Sequence, residues 1–295
     1  MDLLRPDESN FTDLPDFDYE ANFVSVGEPE MAYLDEGQGE ETFLCLHGEP
    51  TWSFLYRKMI PKLRGVGRVV VPDFIGFGRS DRFSDPDVYS YSKFYGWLES
   101  FIEELDLTNV TLVCQDWGGL LGLPVAVNNE ERFSRLVPMN TGLVDGTQEM
   151  PEEWWAFHDF VDENDDLPID FFIQETTVSE LSDDILEGYQ APFPDRSYKA
   201  AAKAWPLLVP TDPSMDGAHQ MQEALERLGE WNKPAFVLFS DSDPITSDAR
   251  DPLRELIPTA RQQPDLWIED AGHFLQEEAG ETIADHIVKF VQRTQ

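Results

Sequence analysis

The sequence predicts an α/β fold: a mostly parallel sheet with helices on both faces, interrupted by a helical insertion. Strand and helix patterns alternate over residues 42–139 and resume over 235–291. The strands in those stretches, such as 69–71, 110–113 and 136–139, are continuous apolar runs, as strands buried on both faces must be. Between the two stretches no segment reads as a core strand, and the text is aromatic, acidic and broken by seven prolines, at 151, 168, 192, 194, 206, 210 and 213. The division expected is a core domain of residues 1–141 and 231–295 with an inserted helical cap of 142–230.

Taken in order, residues 22–26 and 31–34 read as short strands joined by Gly27-Glu28-Pro29. A third strand, 42–46, runs into His47-Gly48-Glu49-Pro50. Apolar residues at 52, 55, 56, 59, 60 and 63 keep the helical period and predict a helix over 52–63. The strand 69–71 leads to Ile75-Gly76-Phe77-Gly78-Arg79-Ser80, which lacks the third glycine of a dinucleotide site and the Gly-Lys-Ser/Thr of a phosphate loop. It is a glycine-dependent turn. Phe94, Trp97, Leu98, Phe101, Ile102 and Leu105 share one face of a predicted helix over 92–105. The strand 110–113, a helix over 118–127 and the strand 136–139 follow. After the insertion come a strand 235–239, a helix near 252–257, a strand 266–268 and a final helix to 291. Crossovers in such a sheet are right-handed.

Charge narrows the partners. Against 58 Asp and Glu stand 21 Lys and Arg, a formal net charge of −37, so the field repels phosphate and excludes nucleic acid and anionic membrane surfaces. Disorder is excluded by the 12% aromatic content and the regular apolar runs. No stretch of 18 apolar residues exists to span a membrane, and residues 1–20 carry seven acids and no apolar signal core. A cytoplasmic protein is expected. Cys45 and Cys114 fall in predicted buried strands and are expected as free thiols. Histidines at 47, 158, 219, 273 and 286 make no metal spacing, so neither metal nor cofactor is expected.

The chemistry concentrates at Cys114-Gln115-Asp116-Trp117-Gly118. A strand enters this frame and a helix leaves it, as at the G-x-S-x-G elbow that raises a serine above a parallel sheet. Here the nucleophile position holds a carboxylate, which can displace a leaving group from saturated carbon and form an alkyl ester. Ligands of open α/β sheets bind beyond the carboxyl ends of the strands, where Glu49, Asp116, Asp243 and His273 all fall. The order Asp116, Asp243, His273 is that of the α/β-hydrolase triad with Asp in place of Ser. A neutral imidazole takes a proton from water, and a second carboxylate fixes its tautomer. The amides of Glu49 and Trp117 are placed to bind an oxyanion, each contributing roughly 3 to 4 kcal/mol.

These stretches, with Asp73-Phe74-Ile75-Gly76-Phe77-Gly78, Ala191-Pro192-Phe193-Pro194-Asp195 and Asp270-Ala271-Gly272-His273-Phe274, resemble those of haloalkane dehalogenases, over nearly the whole chain and least over 143–188. Glu49 resembles the branch of that family with Glu after His-Gly. The resemblance implies an α/β-hydrolase fold, hydrolytic dehalogenation of a small haloalkane by water, Asp243 rather than Asp241 as triad acid, and a halide ion held between two indole N–H groups. One of these is Trp117. Trp154 is the expected cap donor, with Trp155 as the alternate. A monomer or small homo-oligomer is expected.

Two other functions share these features. Epoxide hydrolases have the same Asp-His-Asp triad and need two cap tyrosines, for which Tyr189 and Tyr198 are available. A non-catalytic binding protein on the same scaffold would not need all three triad members. Haloacid substrates are disfavoured because Leu120 and Leu121 follow the elbow where arginines would hold a carboxylate.

So large an acidic excess is tolerable where salt screens it, as in a salt-accumulating cytoplasm. Since the Debye length falls from about 10 Å at 0.1 M to about 3 Å at 1 M, the unfolding temperature is expected to rise between about 0.1 M and 3 M KCl. A thermal scan showing no change refutes this.

Overall fold

The computed structural model describes residues 3–295. Its main sheet has the strand order β2 (Asn22–Ser25), β3 (Glu30–Gly37), β5 (Arg68–Pro72), β4 (Thr42–Leu46), β7 (Val110–Gln115), β8 (Phe133–Met139). The pairs β2–β3 and β3–β5 are antiparallel, and the other pairs are parallel. A short antiparallel ribbon joins β1 (Leu3–Leu4) to β6 (Arg82–Phe83). Beyond β8 the chain returns in parallel through β9 (Phe239–Ser240), which pairs with β10 (Trp267–Ile268). The expected strand 235–239 is regular only at its end. Phe236 N–H bonds Leu136 O at 2.8 Å and Leu238 N–H bonds Pro138 O at 3.1 Å, but Pro138 has no N–H to return to Phe236 O, so the ladder breaks there.

The helices α1 (Ile60–Leu63), α2 (Tyr91–Glu104), α3 (Trp117–Asn128), α9 (Arg250–Leu256) and α10 (Leu275–Arg293) belong to the alternating stretches. Between β8 and β9 lie α4 (Glu152–Glu163), α5 (Ile169–Glu175), α6 (Asp183–Gln190), α7 (Ala200–Leu208) and α8 (Ala218–Leu228). The last of these packs on α3. The helix expected over 52–63 divides into a 3-10 turn, Ser53–Tyr56, and α1. Asp73 is the cause at the near end: its buried carboxylate accepts the N–H groups of Ser53 at 2.7 Å and Arg79 at 2.9 Å, fixing the entry to the turn. Pro61 starts a new helix at its first turn.

Helix α3 is buried almost throughout and contains Pro124. A proline there cannot donate to the carbonyl four residues earlier. The Tyr91 hydroxyl donates to that carbonyl, Leu120 O, at 2.9 Å. Ser90 caps α2 through the Lys93 N–H.

The insertion is tied to the rest of the chain by polar contacts as well as apolar ones. Trp52 Nε1 donates to Gly188 O at 3.1 Å, and Arg82 Nη1 to Pro192 O at 2.8 Å. In the densest contact, Glu277 accepts two bonds from Arg57 at 2.6 and 2.7 Å, one from Lys58 at 2.8 Å and one from the Tyr189 hydroxyl at 2.6 Å. Burial alone would raise the Glu277 pKa, but Arg57, Lys58 and Tyr189 together hold it at about 2. The side chains of Arg57 and Glu277 are 1% and 0% exposed, so removing one partner leaves the other uncompensated. Glu277→Gln is expected to destabilise the fold by about 3–5 kcal/mol in urea unfolding. Because the folded pKa lies below the ordinary 4.5, this stabilisation is full above that pH and fades as pH falls toward 2. The variant's stability should therefore fall less steeply over that acid range, and equal slopes would contradict the ion-pair account.

Candidate active site

Asp116 ends β7 and caps α3 with φ 51° and ψ −123°, a conformation strained for any residue with a Cβ. The surroundings fix it there. Its N–H donates to Asn140 O at 3.0 Å, and its carbonyl accepts from the Thr141 hydroxyl at 2.7 Å and from the Gly119 N–H at 2.8 Å. The close approach of His47-Gly48 to the elbow requires glycines on both sides. A Cβ on Gly48 would lie 2.4 Å from the Asp116 Cβ, and one on Gly118 2.3 Å from Leu46 O.

The two carboxylate oxygens of Asp116 face different groups. Oδ1 accepts the Glu49 N–H at 2.7 Å. Oδ2 lies 3.7 Å from His273 Nε2. Among the described residues no hydrogen bond runs from the Trp117 amide to this carboxylate, so one of the two expected oxyanion donors is engaged before reaction.

His273 is 2% exposed, and its Nδ1 lies 3.1 Å from Asp243 Oδ1. Asp243, at the end of the loop after β9, also accepts the N–H groups of Ile245 at 2.9 Å and Thr246 at 3.2 Å, and the Thr246 hydroxyl. Burial by itself would raise the Asp243 pKa, but the imidazole and these donors hold it below the ordinary carboxylate range. Asp241 is exposed and pairs with Ser242, away from the imidazole. Burial disfavours the imidazolium of His273, but the carboxylates of Asp243 and Asp116 outweigh burial and push its pKa up to about 10. While Asp116 is ionised, the ring keeps its proton at neutral pH.

Several positions were not singled out from sequence. Asn140 Nδ2 donates to Gly272 O and His273 O, both at 3.1 Å, and to the Ser240 hydroxyl at 2.7 Å, so it ties the histidine loop to the ends of β8 and β9. The Gln115 amide nitrogen lies 2.9 Å from His273 Nε2, while its Oε1 has no partner. That arrangement suits a neutral ring, whose Nε2 accepts. An imidazolium needs the amide turned over, with Oε1 accepting, so Gln115 can serve either protonation state. His47 is buried, with Nδ1 on Gly48 O at 3.1 Å and Nε2 accepting the Phe74 N–H at 3.0 Å; burial lowers its pKa to about 4. A neutral, doubly bonded His47 shapes the loop that presents Glu49.

Glu49 is 8% exposed and neither of its carboxyl oxygens has a partner. Burial, reinforced by the Asp116 charge, raises its pKa well above the ordinary value and favours the protonated acid.

The remaining expected residues are scattered. Trp117 is buried at the start of α3 and stacks on Trp205 of α7 with ring centroids 5.0 Å apart and planes 5° from parallel. Trp154 lies in α4 with Trp155 and His158 as ring neighbours, and Trp155 is 39% exposed. Tyr189 donates to Glu277, and Tyr198 lies over Arg82. Among the described residues no cluster of His, Cys, Asp or Glu is placed to hold a metal ion.

Residues 41–280 match the family model of the alpha/beta hydrolase fold, the class that a strand-to-helix elbow at the carboxyl edge of a parallel sheet defines. The chain is 40% identical to a haloalkane dehalogenase of Psychrobacter cryohalolentis, over 99% of this chain and 98% of that one. It is also 40% identical to one of Mycolicibacterium paratuberculosis, over 99% of each. The structure superposes on the tetrameric haloalkane dehalogenase DpaA from Paraglaciecola agarilytica with a TM-score of 0.91, at 38% identity and 97% coverage of both chains. The chain therefore belongs to the haloalkane dehalogenase family of α/β hydrolases.

The raised Glu49 pKa has a direct consequence. Glu49→Gln keeps the shape and imitates the protonated acid that burial favours, so kcat/KM for an alkyl bromide is expected to change by less than about threefold, under 0.7 kcal/mol, at neutral pH. A loss beyond about tenfold would show that the ionised carboxylate is required.

Proposed function

We propose that this chain hydrolyses haloalkanes to alcohol, halide and a proton through an alkyl ester on Asp116. The observation that carries the reading is the unequal setting of the two Asp116 oxygens. Oδ1 is held by the Glu49 amide, and Oδ2 is free of protein donors save the distant imidazole. Oδ2 attacks the carbon bearing the halogen, the C–O bond forms as the carbon–halogen bond breaks, and the halide departs with the bonding pair toward the Trp117 indole. The cap of residues 142–230 closes the site over the core formed by 1–141 and 231–295.

Alkylation also removes the Asp116 charge. One of the two carboxylates that hold the proton on His273 is then gone, its pKa falls, and the ring becomes a base at neutral pH. It takes a proton from water, and the hydroxide attacks Cγ of Asp116. Negative charge develops on Oδ1, where the Glu49 amide already sits and the Trp117 amide is near at hand. Collapse expels the alkoxide, which takes the proton from the imidazolium to leave as alcohol, and the acid proton left on Asp116 passes to solvent and restores the carboxylate. Asp243 keeps the ring oriented and stabilises its charged form.

The epoxide reading has less support. Ring opening needs a tyrosine hydroxyl near Asp116, and Tyr189 is committed to the buried Glu277. The related DpaA is tetrameric, and a homo-oligomer is our reading for this chain as well.

His273→Gln is the decisive variant. With 1-bromobutane it should release one bromide per active site and then stop, losing turnover by about 10² to 10⁴-fold, and the peptide containing Asp116 should gain the mass of a butyl group. One turnover of the unmodified enzyme in H₂¹⁸O should label the Asp116 carboxylate. Label in the alcohol alone would indicate direct attack by water, and diol formation from styrene oxide without halide release from any bromide would favour the epoxide reading.

A further inference from the structure

Gln115 is the last residue of β7, one before the nucleophile we propose, and it is 0% exposed. Its amide end lies 2.9 Å from His273 Nε2, while Asp116 Oδ2 lies 3.7 Å from the same atom. Only the first is a hydrogen-bond distance. The other ring nitrogen, Nδ1, is held by Asp243 at 3.1 Å, so the ring cannot turn Nε2 elsewhere without losing that contact. Gln115 Oε1 is buried and has no partner. An amide carries two donors at one end and an acceptor at the other, and a half-turn brings Oε1 onto His273 Nε2. That half-turn gives up a long contact, amide nitrogen to His273 O at 3.4 Å. It gains a bond from a charged donor, roughly twice as strong as a neutral one.

Resting on the ester mechanism above, we infer that Gln115 is a positioning residue, which accepts the Nε2–H of charged His273 through its amide oxygen and so keeps that proton off Asp116 Oδ2. A ring nitrogen carries a single N–H, directed in the ring plane, and bonds one acceptor well. Two acceptors compete for it. If Asp116 won, the attacking oxygen would have to break a charge-assisted bond before reaching carbon. Diverting the N–H to a neutral amide keeps the imidazolium close enough to offset the carboxylate charge while Oδ2 stays unbonded. The elbow makes the competition possible. Consecutive strand residues point to opposite faces, but Asp116 leaves strand geometry with φ 51°, and both side chains come to the same ring. Once Asp116 is alkylated and the ring is neutral, the amide can only compete with water for one lone pair. Gln115 therefore serves the first half of the reaction and not the second.

The test separates the two half-reactions by rapid quench with 1-bromobutane at neutral pH. Bromide released in the first turnover reports alkylation, and decay of the butylated Asp116 peptide reports ester hydrolysis. Gln115→Met fills the space without a comparable acceptor. The N–H then falls to Asp116 Oδ2, and alkylation is expected to slow by about tenfold to a hundredfold, the worth of a hydrogen bond to a charged group, while hydrolysis is not slowed. Gln115→Glu restores an acceptor of the same shape, so alkylation should return to within about threefold of the unmodified enzyme. Its hydrolysis should slow by about tenfold or more, because the added carboxylate keeps the proton on the ring. A merely structural role would slow both half-reactions together in both variants. Should Gln115→Met fail to fold by circular dichroism, Gln115→Glu carries the test through its split between the two steps. Equal slowing of both steps, alkylation left slow by Gln115→Glu, or unchanged alkylation with faster hydrolysis in Gln115→Met overturns the inference while leaving the ester mechanism intact. An unmodified enzyme that forms no butylated Asp116 peptide overturns the mechanism itself.

Discussion

The site depends on holding a carboxylate at positive φ where β7 turns into α3. A non-glycine residue in that conformation costs about 1–3 kcal/mol, so the neighbourhood must over-determine it. Asn140 and Thr141 fasten its backbone from the end of β8, and Gly48 and Gly118 leave the only room in which the turn can close. The same closeness puts the Glu49 amide on Oδ1. The oxyanion donor and the nucleophile that we propose are thus tied by one turn: relaxing it would withdraw the Asp116 oxygen from the Glu49 amide.

Three carboxyl groups share this small volume, and they differ only through their surroundings. The carboxyl oxygens of Glu49 have no hydrogen-bond partner and sit beside a negative charge, so its pKa is raised well above the ordinary value. Asp243 is as deeply buried but receives two backbone N–H groups, a hydroxyl and the imidazole, so it is ionised. Asp116 is less buried than either, with its side chain 17% exposed. Like charges at close range would oppose one another. The raised pKa of Glu49 lessens the negative charge beside Asp116, and His273 sits closer to Asp243, at 3.1 Å, than to Asp116, at 3.7 Å, so the nucleophile we propose is the less tightly paired carboxylate.

Much of this was legible in the sequence. Apolar runs located the sheet, and glycines after Asp116 located the elbow, because both are local properties of the chain. The strand ends brought Glu49, Asp116, Asp243 and His273 to one edge, since a parallel sheet leaves its carboxyl ends no other side. The rest depended on contacts between distant segments. Pro138 interrupts a ladder whose partner lies about a hundred residues away, and Asp73 recasts the 52–63 helix by accepting the Ser53 N–H across a loop. Tyr189 read as a candidate proton donor because nothing near it in sequence reveals Glu277. Asn140 closes a strand in the sequence, while its role in the histidine loop exists only in three dimensions.

The ties between the core and the insertion bear on how the two divide the work. In the mechanism we propose, the core supplies every group that makes or breaks a bond to oxygen, and these are fixed by backbone: strand ends, a turn and amides. The insertion's position is set by buried polar ties, Tyr189 to Glu277, Trp52 to Gly188 and Arg82 to Pro192. A halide carries no directional lone pair that demands one geometry, so donors presented by a separate set of helices can serve it where they could not serve a tetrahedral oxyanion. Precision is therefore needed at Oδ1 and tolerance is allowed at the halide.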